Sequence, residues 1–225
     1  LNINLSNSWN TDNLQITLES SVFESRFSNK IIPDFLTNDN QIIYSNLSGY
    51  AIARGISSEI FLKMYKIPLK LSVNATLLDV SNFNENSIGE MVKSQQLLAE
   101  KYSIKWSASF RFEKLDLDMV YSATNYGPIR LPILENDFRP EYSLPYTIHN
   151  LKISKNYNNG WTTFLSLRNF TNFTPPKYSI LRANDPFDQN INDPINNPEG
   201  YTFDASYMYA SFQGINLVFG VSFVF

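Results

Sequence analysis

Hydrophobic and polar residues alternate along the chain in about nine separate segments. The most regular segment is the last, whose bulky positions are Ile215, Leu217, Phe219, Val221, Phe223 and Phe225. Small or polar residues fill the positions between them. Because successive side chains of a β-strand point to opposite faces, each segment predicts a strand with one apolar and one polar face. Similar segments begin near residues 1, 14, 50, 69, 102, 115, 150 and 165.

The repeated alternation fits either a membrane β-barrel or a soluble β-sandwich. In a sandwich the apolar faces of two sheets form one shared core. In a membrane barrel the apolar faces meet lipid and the polar faces line a lumen. Single charged residues recur on the polar face of nearly every segment, which favours a water-filled lumen. The soluble sandwich stays open as an alternative binding or enzymatic domain.

The connections between segments alternate between tight and long. Tight connections fall at residues 9–13, 65–68, 113–115 and 157–160, and long ones at residues 33–41, 81–99, 125–143 and 171–207. Every second connection of an antiparallel meander lies at the same end, so short turns at one end and long loops at the other are predicted. Outer-membrane barrels have this asymmetry. Aromatic residues beside the short turns predict a girdle at the membrane boundary: Trp9, Tyr65, Phe112, Tyr157, Trp161 and Phe225.

Composition excludes several other classes of protein. No run of about 18 apolar residues occurs, so a membrane-spanning helix is excluded. The 225 residues include no cysteine, which removes disulfides and thiolate metal sites. A net charge of −3 gives no basic surface for nucleic acid. The fold class predicted is therefore an all-β, antiparallel up-and-down transmembrane barrel in a bacterial outer membrane.

The strand count predicts that residues 1–225 are one part of a larger barrel domain. Bacterial single-chain barrels close with an even number of strands, and about nine are found here. The chain also starts directly in a strand-like stretch, without a signal peptide. We therefore expect the N-terminal strands of the barrel to lie outside this sequence.

Three stretches resemble the C-terminal part of a Bacteroidetes-type TonB-dependent outer-membrane receptor. Residues 142–176 end in LRNFTNFTPP and resemble that family's penultimate hairpin, and residues 184–225 resemble its last loop and closing strand. Residues 44–62 are similar to an earlier strand, with Arg54, Gly55 and Glu59 in register. The resemblance implies a barrel of about 22 strands around an N-terminal plug, of which this chain supplies about the last nine.

The resemblance also implies a function in transport. Such receptors take up a scarce nutrient, which is a siderophore, haem, cobalamin, glycan or peptide, and are energised by TonB in the periplasm. The expected partners are the rest of the barrel, the plug, TonB, the lipid bilayer and a surface lipoprotein. No enzyme activity and no cofactor are implied. The alternative is a structural or partner-binding barrel subunit of a larger complex.

Two groups of residues are the candidate functional positions. Five cations on the polar face are expected to point into the lumen and to contact the plug in preference to cargo: Lys70, Lys105, Arg111, Lys152 and Arg168. The apolar positions of the last strand are expected to face lipid: Ile215, Leu217, Phe219, Val221, Phe223 and Phe225. This strand also resembles the C-terminal signal that the barrel assembly machinery reads. The outer loops, including residues 126–142, are where cargo would first meet the protein.

The remaining polar residues predict neither catalysis nor a metal site. His149 is the only histidine, so a structural or interfacial role is expected. Asp116 and Asp118 are predicted on one face of a strand, lining the lumen near a short turn. An oxygen-rich loop lacks the glycine and glutamate of a calcium loop and predicts a solvated loop: Asn184, Asp185, Asp188, Asn190, Asn192 and Asp193.

Overall fold

The computed structural model of the chain describes residues 1–35, 42–86, 88–133, 139–176, 179, 181–182, 195 and 202–224. Over these residues no helix is long and apolar enough to cross a membrane. Two short 3-10 helices, Glu113–Leu115 and Ala205–Tyr207, lie in connections between strands. The described structure is otherwise built from strands, as the alternation predicted.

Nine long strands form one antiparallel sheet. They are β1 (Asn2–Asn10), β2 (Leu14–Phe27), β5 (Tyr50–Met64), β6 (Leu69–Glu85), β8 (Tyr102–Phe112), β9 (Leu117–Tyr126), β10 (Tyr146–Asn156), β11 (Trp161–Arg168) and β14 (Asn216–Phe223). Each long strand pairs with the next long strand along the chain, from β1 to β14. The predicted up-and-down meander of nine strands is confirmed.

The long connections contain short strands of their own. These are β3 (Ile31–Asp34) paired with β4 (Ile43–Asn46), β7 (Met91–Gln95) paired with the far end of β6, and β12 (Leu181–Arg182) paired with β13 (Thr202–Phe203). The four tight turns join β1 to β2, β5 to β6, β8 to β9 and β10 to β11, so they all lie at one end of the sheet. The predicted asymmetry between short turns and long loops is therefore confirmed.

The strand register puts the apolar positions on one continuous face. Residues directly opposite each other in an antiparallel ladder point to the same side of the sheet. One row of opposed residues runs across six strands as Leu18, Ile60, Val73, Trp106, Ala123 and His149. A second row joins Met119, Ile153, Leu165 and Phe219. Many of these side chains stay exposed, Phe219 by 67%, since among the described residues no second sheet covers them. The soluble sandwich is therefore wrong.

Gly220 makes room for an aromatic ring on the opposite, polar face. Phe164 lies directly across from Gly220, and a Cβ added at Gly220 would lie 2.3 Å from two atoms of the Phe164 ring. The Lys152 Nζ atom lies 4.7 Å from the centroid of the same ring. The ring thus covers the glycine backbone while a cation covers the ring, which pins the register of the closing strand.

Replacing Gly220 with Val is expected to destabilise the closing strand by about 1–3 kcal/mol, because the new side chain overlaps the Phe164 ring. The free energy should be measured from urea titrations of the folded fraction in lipid vesicles. Ser222→Val is the matched control, because it adds the same side chain to the same face of the same strand. If Phe164→Ala does not restore the stability of the Gly220→Val variant, the ring contact is not the cause.

Candidate functional site: the two faces of the wall and the loop layer

The apolar face forms a band of limited height. On β5 it runs from Met64 at the short-turn end to Ile56, which is a stretch of nine residues. The next residue on that face is Arg54, and it forms a salt bridge of 3.1 Å with Asp79 of β6. Strands that cross a membrane with a tilt need about 9–11 residues. The band therefore has the height of a hydrocarbon layer, and the ion pair lies beyond its loop end.

Two groups of polar side chains within the apolar face are hydrogen-bonded internally. Ser20 and Ser58 lie opposite each other, with their hydroxyl oxygens 2.9 Å apart. Trp106 donates its ring N–H to the Tyr121 hydroxyl at 3.2 Å, and that hydroxyl lies 2.9 Å from His149 Nδ1. Polar groups in lipid need such internal partners because no water is available. The structure thus places His149 in a hydrogen-bonded aromatic cluster on the outward face, where an interfacial role stays a prediction.

Aromatic side chains lie along the short-turn end, as predicted. Trp9, Phe112 and Trp161 are on the apolar face and are 48%, 39% and 45% exposed. Tyr65 differs, because its hydroxyl donates to Gln15 Oε1 at 3.3 Å on the polar face. These aromatic residues therefore lie at the end of the sheet where the girdle was predicted. Tyr65 is the exception, because its side chain lies on the polar face.

The predicted lipid-facing residues of the closing strand share the apolar face. Leu217, Phe219, Val221 and Phe223 lie opposite Leu167, Leu165, Thr163 and Trp161 of β11, respectively. Ile215 precedes the strand, and its backbone N–H donates to Asn172 Oδ1 at 3.2 Å. Phe225 lies outside the described residues, so its assembly role stays a prediction.

The five predicted cations all lie on the polar face, and all are exposed. Their opposed residues are as follows: Lys70 opposes Lys63 and Ser109, Lys105 opposes Asn74 and Thr124, Arg111 opposes Asp118, Lys152 opposes Val120 and Ser166, and Arg168 opposes Asn150 and Asn216. They are spread over β6, β8, β10 and β11 rather than gathered into one cluster. In the described part of the chain, Arg111 is the member of this group that forms ion pairs.

Arg111 holds two carboxylates beside a short turn. Its guanidinium lies 3.4 Å from Asp116 and 3.6 Å from Asp118. The prediction that both aspartates lie on a strand is wrong for Asp116, which ends a 3-10 turn in the left-handed conformation (φ 47°). The chain reverses there, and Asp tolerates this conformation better than most residues because its short side chain bonds locally. Both aspartates nevertheless meet the same arginine.

A pair of glutamates on the polar face was not predicted. Glu19 of β2 lies directly opposite Glu59 of β5, and both line a depression of about 350 Å³ with Asn4, Ser57 and Asn74. Like charges directly opposed destabilise a sheet, so this part of the face carries a local excess of negative charge. The sequence shows each glutamate as a lone charge, and only the register brings them together. Within the described residues no cluster suited to a metal ion is found.

Described residues of two long loops pack together at the other end of the sheet. Ile129, Leu131 and Tyr207 form a small buried core, and Ile133 and Tyr209 pack against it. Ile129, Leu131 and Ile133 lie in the connection before β10, and Tyr207 and Tyr209 lie in the connection before β14, so two connections share one packed layer. We call this packed region the loop layer.

A buried ion pair joins the two connections of the loop layer. Arg139 Nη2 lies 2.7 Å from Asp204 Oδ2, and the two side chains are 0% and 8% exposed. The Arg139 guanidinium also covers the Tyr207 ring at 4.0 Å. Burial opposes ionisation of Asp204, but hydrogen bonds from Ser206 and Arg139 outweigh it and hold the pKa of that carboxyl below its usual value.

A third connection is tied to the same layer through Arg130. Arg130 Nε donates to Glu141 at 2.7 Å, and its Nη1 donates to the backbone oxygen of Gln95 at 2.9 Å. The Tyr142 hydroxyl donates to the Gln95 side chain at 3.0 Å. Arg130 and Tyr142 of the predicted outer loop are therefore anchored to Gln95 at the end of β7. The oxygen-rich loop predicted at residues 184–193 lies outside the described residues.

Comparison with known proteins agrees with this architecture. A family model described as "TonB dependent receptor-like, beta-barrel" matches residues 1–170. No curated protein matches the chain. The fold is similar to the ferric-catecholate import receptor Fiu of E. coli K12 (TM-score 0.50, 13% identity, covering 77% of this chain and 23% of that one). It is also similar to the FrpB iron transporter of Neisseria meningitidis (TM-score 0.50, 9% identity, covering 77% and 27%).

The chain spans about a quarter of the length of these two structures. The family match covers most of the chain and includes β1 to β11, whose register produces the apolar band and the polar face. The chain belongs to the TonB-dependent-receptor-like β-barrel family of the Gram-negative outer membrane.

Proposed function

We propose that the chain forms part of the wall of a TonB-dependent receptor that takes up a scarce nutrient across the outer membrane. The continuous apolar band across nine strands, with a polar face behind it, supports this proposal most strongly. A closed wall leaves no unpaired strand edge in lipid and encloses a lumen that a plug can fill. In this proposal the chain does no chemistry of its own.

The proposed arrangement assigns a role to each face. Residues 1–225 are the C-terminal part of the barrel domain of a Bacteroidetes-type receptor of about 22 strands. In this proposal the five exposed cations point into the lumen and meet the plug: Lys70, Lys105, Arg111, Lys152 and Arg168. TonB engages the receptor from the periplasm at the short-turn end, and a surface lipoprotein meets the loop layer.

The cargo is a siderophore, haem, cobalamin, glycan or peptide. The two similar solved structures are named for ferric-catecholate import and for iron transport. An iron chelate is therefore one of the candidate cargoes. Loops that are packed together present a defined surface to cargo, and here the buried Arg139–Asp204 pair holds two connections together.

Uptake should require both the complete protein and TonB. Cells that produce the complete protein, with or without TonB, should be given labelled iron(III) catecholate, haemin, cyanocobalamin, maltohexaose or a tetrapeptide. We expect at least one compound to accumulate above the vector control and to fall at least tenfold without TonB. Accumulation that is unchanged without TonB would contradict the proposal, as would no accumulation of any compound.

A further inference from the structure

One polar side chain lies within the apolar band at the edge of the sheet, that of Asn7. It is on the outward face of β1 between Leu5 and Trp9, and it is directly opposite Leu18 in the row that contains Ile60. The side chain is exposed, and among the described residues it forms no hydrogen bond. The amide therefore faces lipid with its two N–H donors and its acceptor unused.

Other polar side chains on the outward face are paired across neighbouring strands. The hydroxyl oxygens of Ser20 and Ser58 lie 2.9 Å apart, and the Asn125 amide donates to the Thr147 hydroxyl at 2.9 Å. An amide left unpaired in lipid costs free energy, because no water replaces the missing hydrogen bonds. We therefore expect the partner of Asn7 on a strand that lies beside β1.

The strand beside the free edge of β1 lies outside the nine-stranded sheet. On its paired side Asn7 meets β2, where the residue opposite is Leu18 and the next outward hydroxyl, that of Ser20, is bonded to Ser58. The strand β14 forms the other edge of the sheet, and both β1 and β14 run towards the short-turn end. Two strands of the same direction are not antiparallel neighbours, so an antiparallel closed wall needs an odd number of further strands between them.

We propose that Asn7 hydrogen-bonds, on the lipid-facing side, to an uncharged polar side chain of the strand that pairs with the free edge of β1. A serine, threonine, asparagine or glutamine can each complement the amide, which both donates and accepts. A charged partner would carry the much larger cost of an ion in lipid. The inference rests on the proposed function, since it takes the chain as part of a closed wall, and it names a contact between this chain and the rest of the barrel.

The sign of a change in stability tests this contact. In the complete protein in lipid vesicles, Asn7→Leu should lower the urea midpoint of unfolding, because the partner side chain stays in lipid without its hydrogen bond. Without a partner for Asn7, the same change would replace an amide in lipid by an apolar side chain and would raise the midpoint. Asn4→Leu is the matched control, because it makes the same replacement on the polar face of β1 and should leave the midpoint close to that of the unaltered protein.

Photo-crosslinking identifies the neighbouring strand directly. With Asn7 replaced by p-benzoylphenylalanine in the complete protein, irradiation in vesicles and mass spectrometry of the digest should find a link to a segment outside residues 1–225. That segment should carry a serine, threonine, asparagine or glutamine at the linked residue or beside it. A raised or unchanged midpoint for Asn7→Leu overturns the inference, as do links only to β14, only to lipid or only to a segment without such a residue. Uptake in cells with and without TonB decides the proposed function separately.

Discussion

Replacing Phe219 with Arg is expected to destabilise the folded barrel by about 2–4 kcal/mol, which is the cost of a cation near the middle of a bilayer. Phe219 is 67% exposed on the apolar face, in the row that contains Leu165, Ile153 and Met119. In lipid the guanidinium would lose its water, and the described neighbours offer it no carboxylate. Val221→Arg should behave in the same way and cost less, because it lies nearer the short-turn end.

The effect should be measured as the folded fraction of the complete protein in vesicles during a urea titration. Ser222→Arg is the matched control, because it puts the same cation on the polar face of the same strand. The conservative change Ser222→Thr should be nearly silent. Equal losses from the Phe219 and Ser222 arginine variants would mean that the assignment of the two faces is incorrect.

Replacing Arg139 with Met is expected to weaken the loop layer by about 3–5 kcal/mol, because it leaves the Asp204 carboxylate buried without its cation. Hydrogen exchange of the backbone amides of residues 129, 131 and 207 should then quicken by about two to four orders of magnitude. Arg139→Met/Asp204→Asn removes both charges and keeps an acceptor for Ser206, so it should recover most of this loss. No recovery in the double variant would show that the arginine acts by packing alone.

Lowering the pH should break the ion pair between Arg139 and Asp204. The folded-state pKa of Asp204 lies below its ordinary value, so the contribution of this carboxylate is fully present above about pH 4 and is lost as the pH falls through the lowered pKa. Asp204 therefore stays ionised between pH 5 and pH 7. Over this range, hydrogen exchange in the loop layer should not change once the rates are corrected for the pH dependence of intrinsic exchange. In the Asp204→Asn variant this acid release should be absent.

The nine-stranded sheet could be predicted from the sequence because the patterns that specify it lie within short segments of the chain. Alternation fixes which residues share a face, and turn length fixes which ends coincide, so β5, β8 and β14 were recognisable from their own residues. The prediction for Asp116 was wrong because its polar side chain continues the alternation of β9, although the residue belongs to the turn before that strand. The five cations could be assigned to a face, but not to partners, because the groups they meet lie on other strands or other parts of the protein.

The loop layer could not be predicted because its contacts join distant segments. Arg139 and Asp204 are 65 residues apart, and each reads as an ordinary loop charge. Asn82 reads as part of the long connection predicted at residues 81–99, whereas the structure places it in β6 and buries it. The β3–β4 hairpin was not predicted because four residues are too few to show a clear alternation of polar and apolar positions.

The meander has a consequence for how the wall is made. Since each long strand pairs with its nearest long neighbour in the chain, the sheet can grow by adding one hairpin at a time, with only short segments to bring together at each step. The loop layer cannot grow in this way, because Asp204 follows β11 and reaches back to a connection that precedes β10. Biogenesis should therefore proceed in two stages, in which hairpins insert first and the outer surface acquires its final shape last.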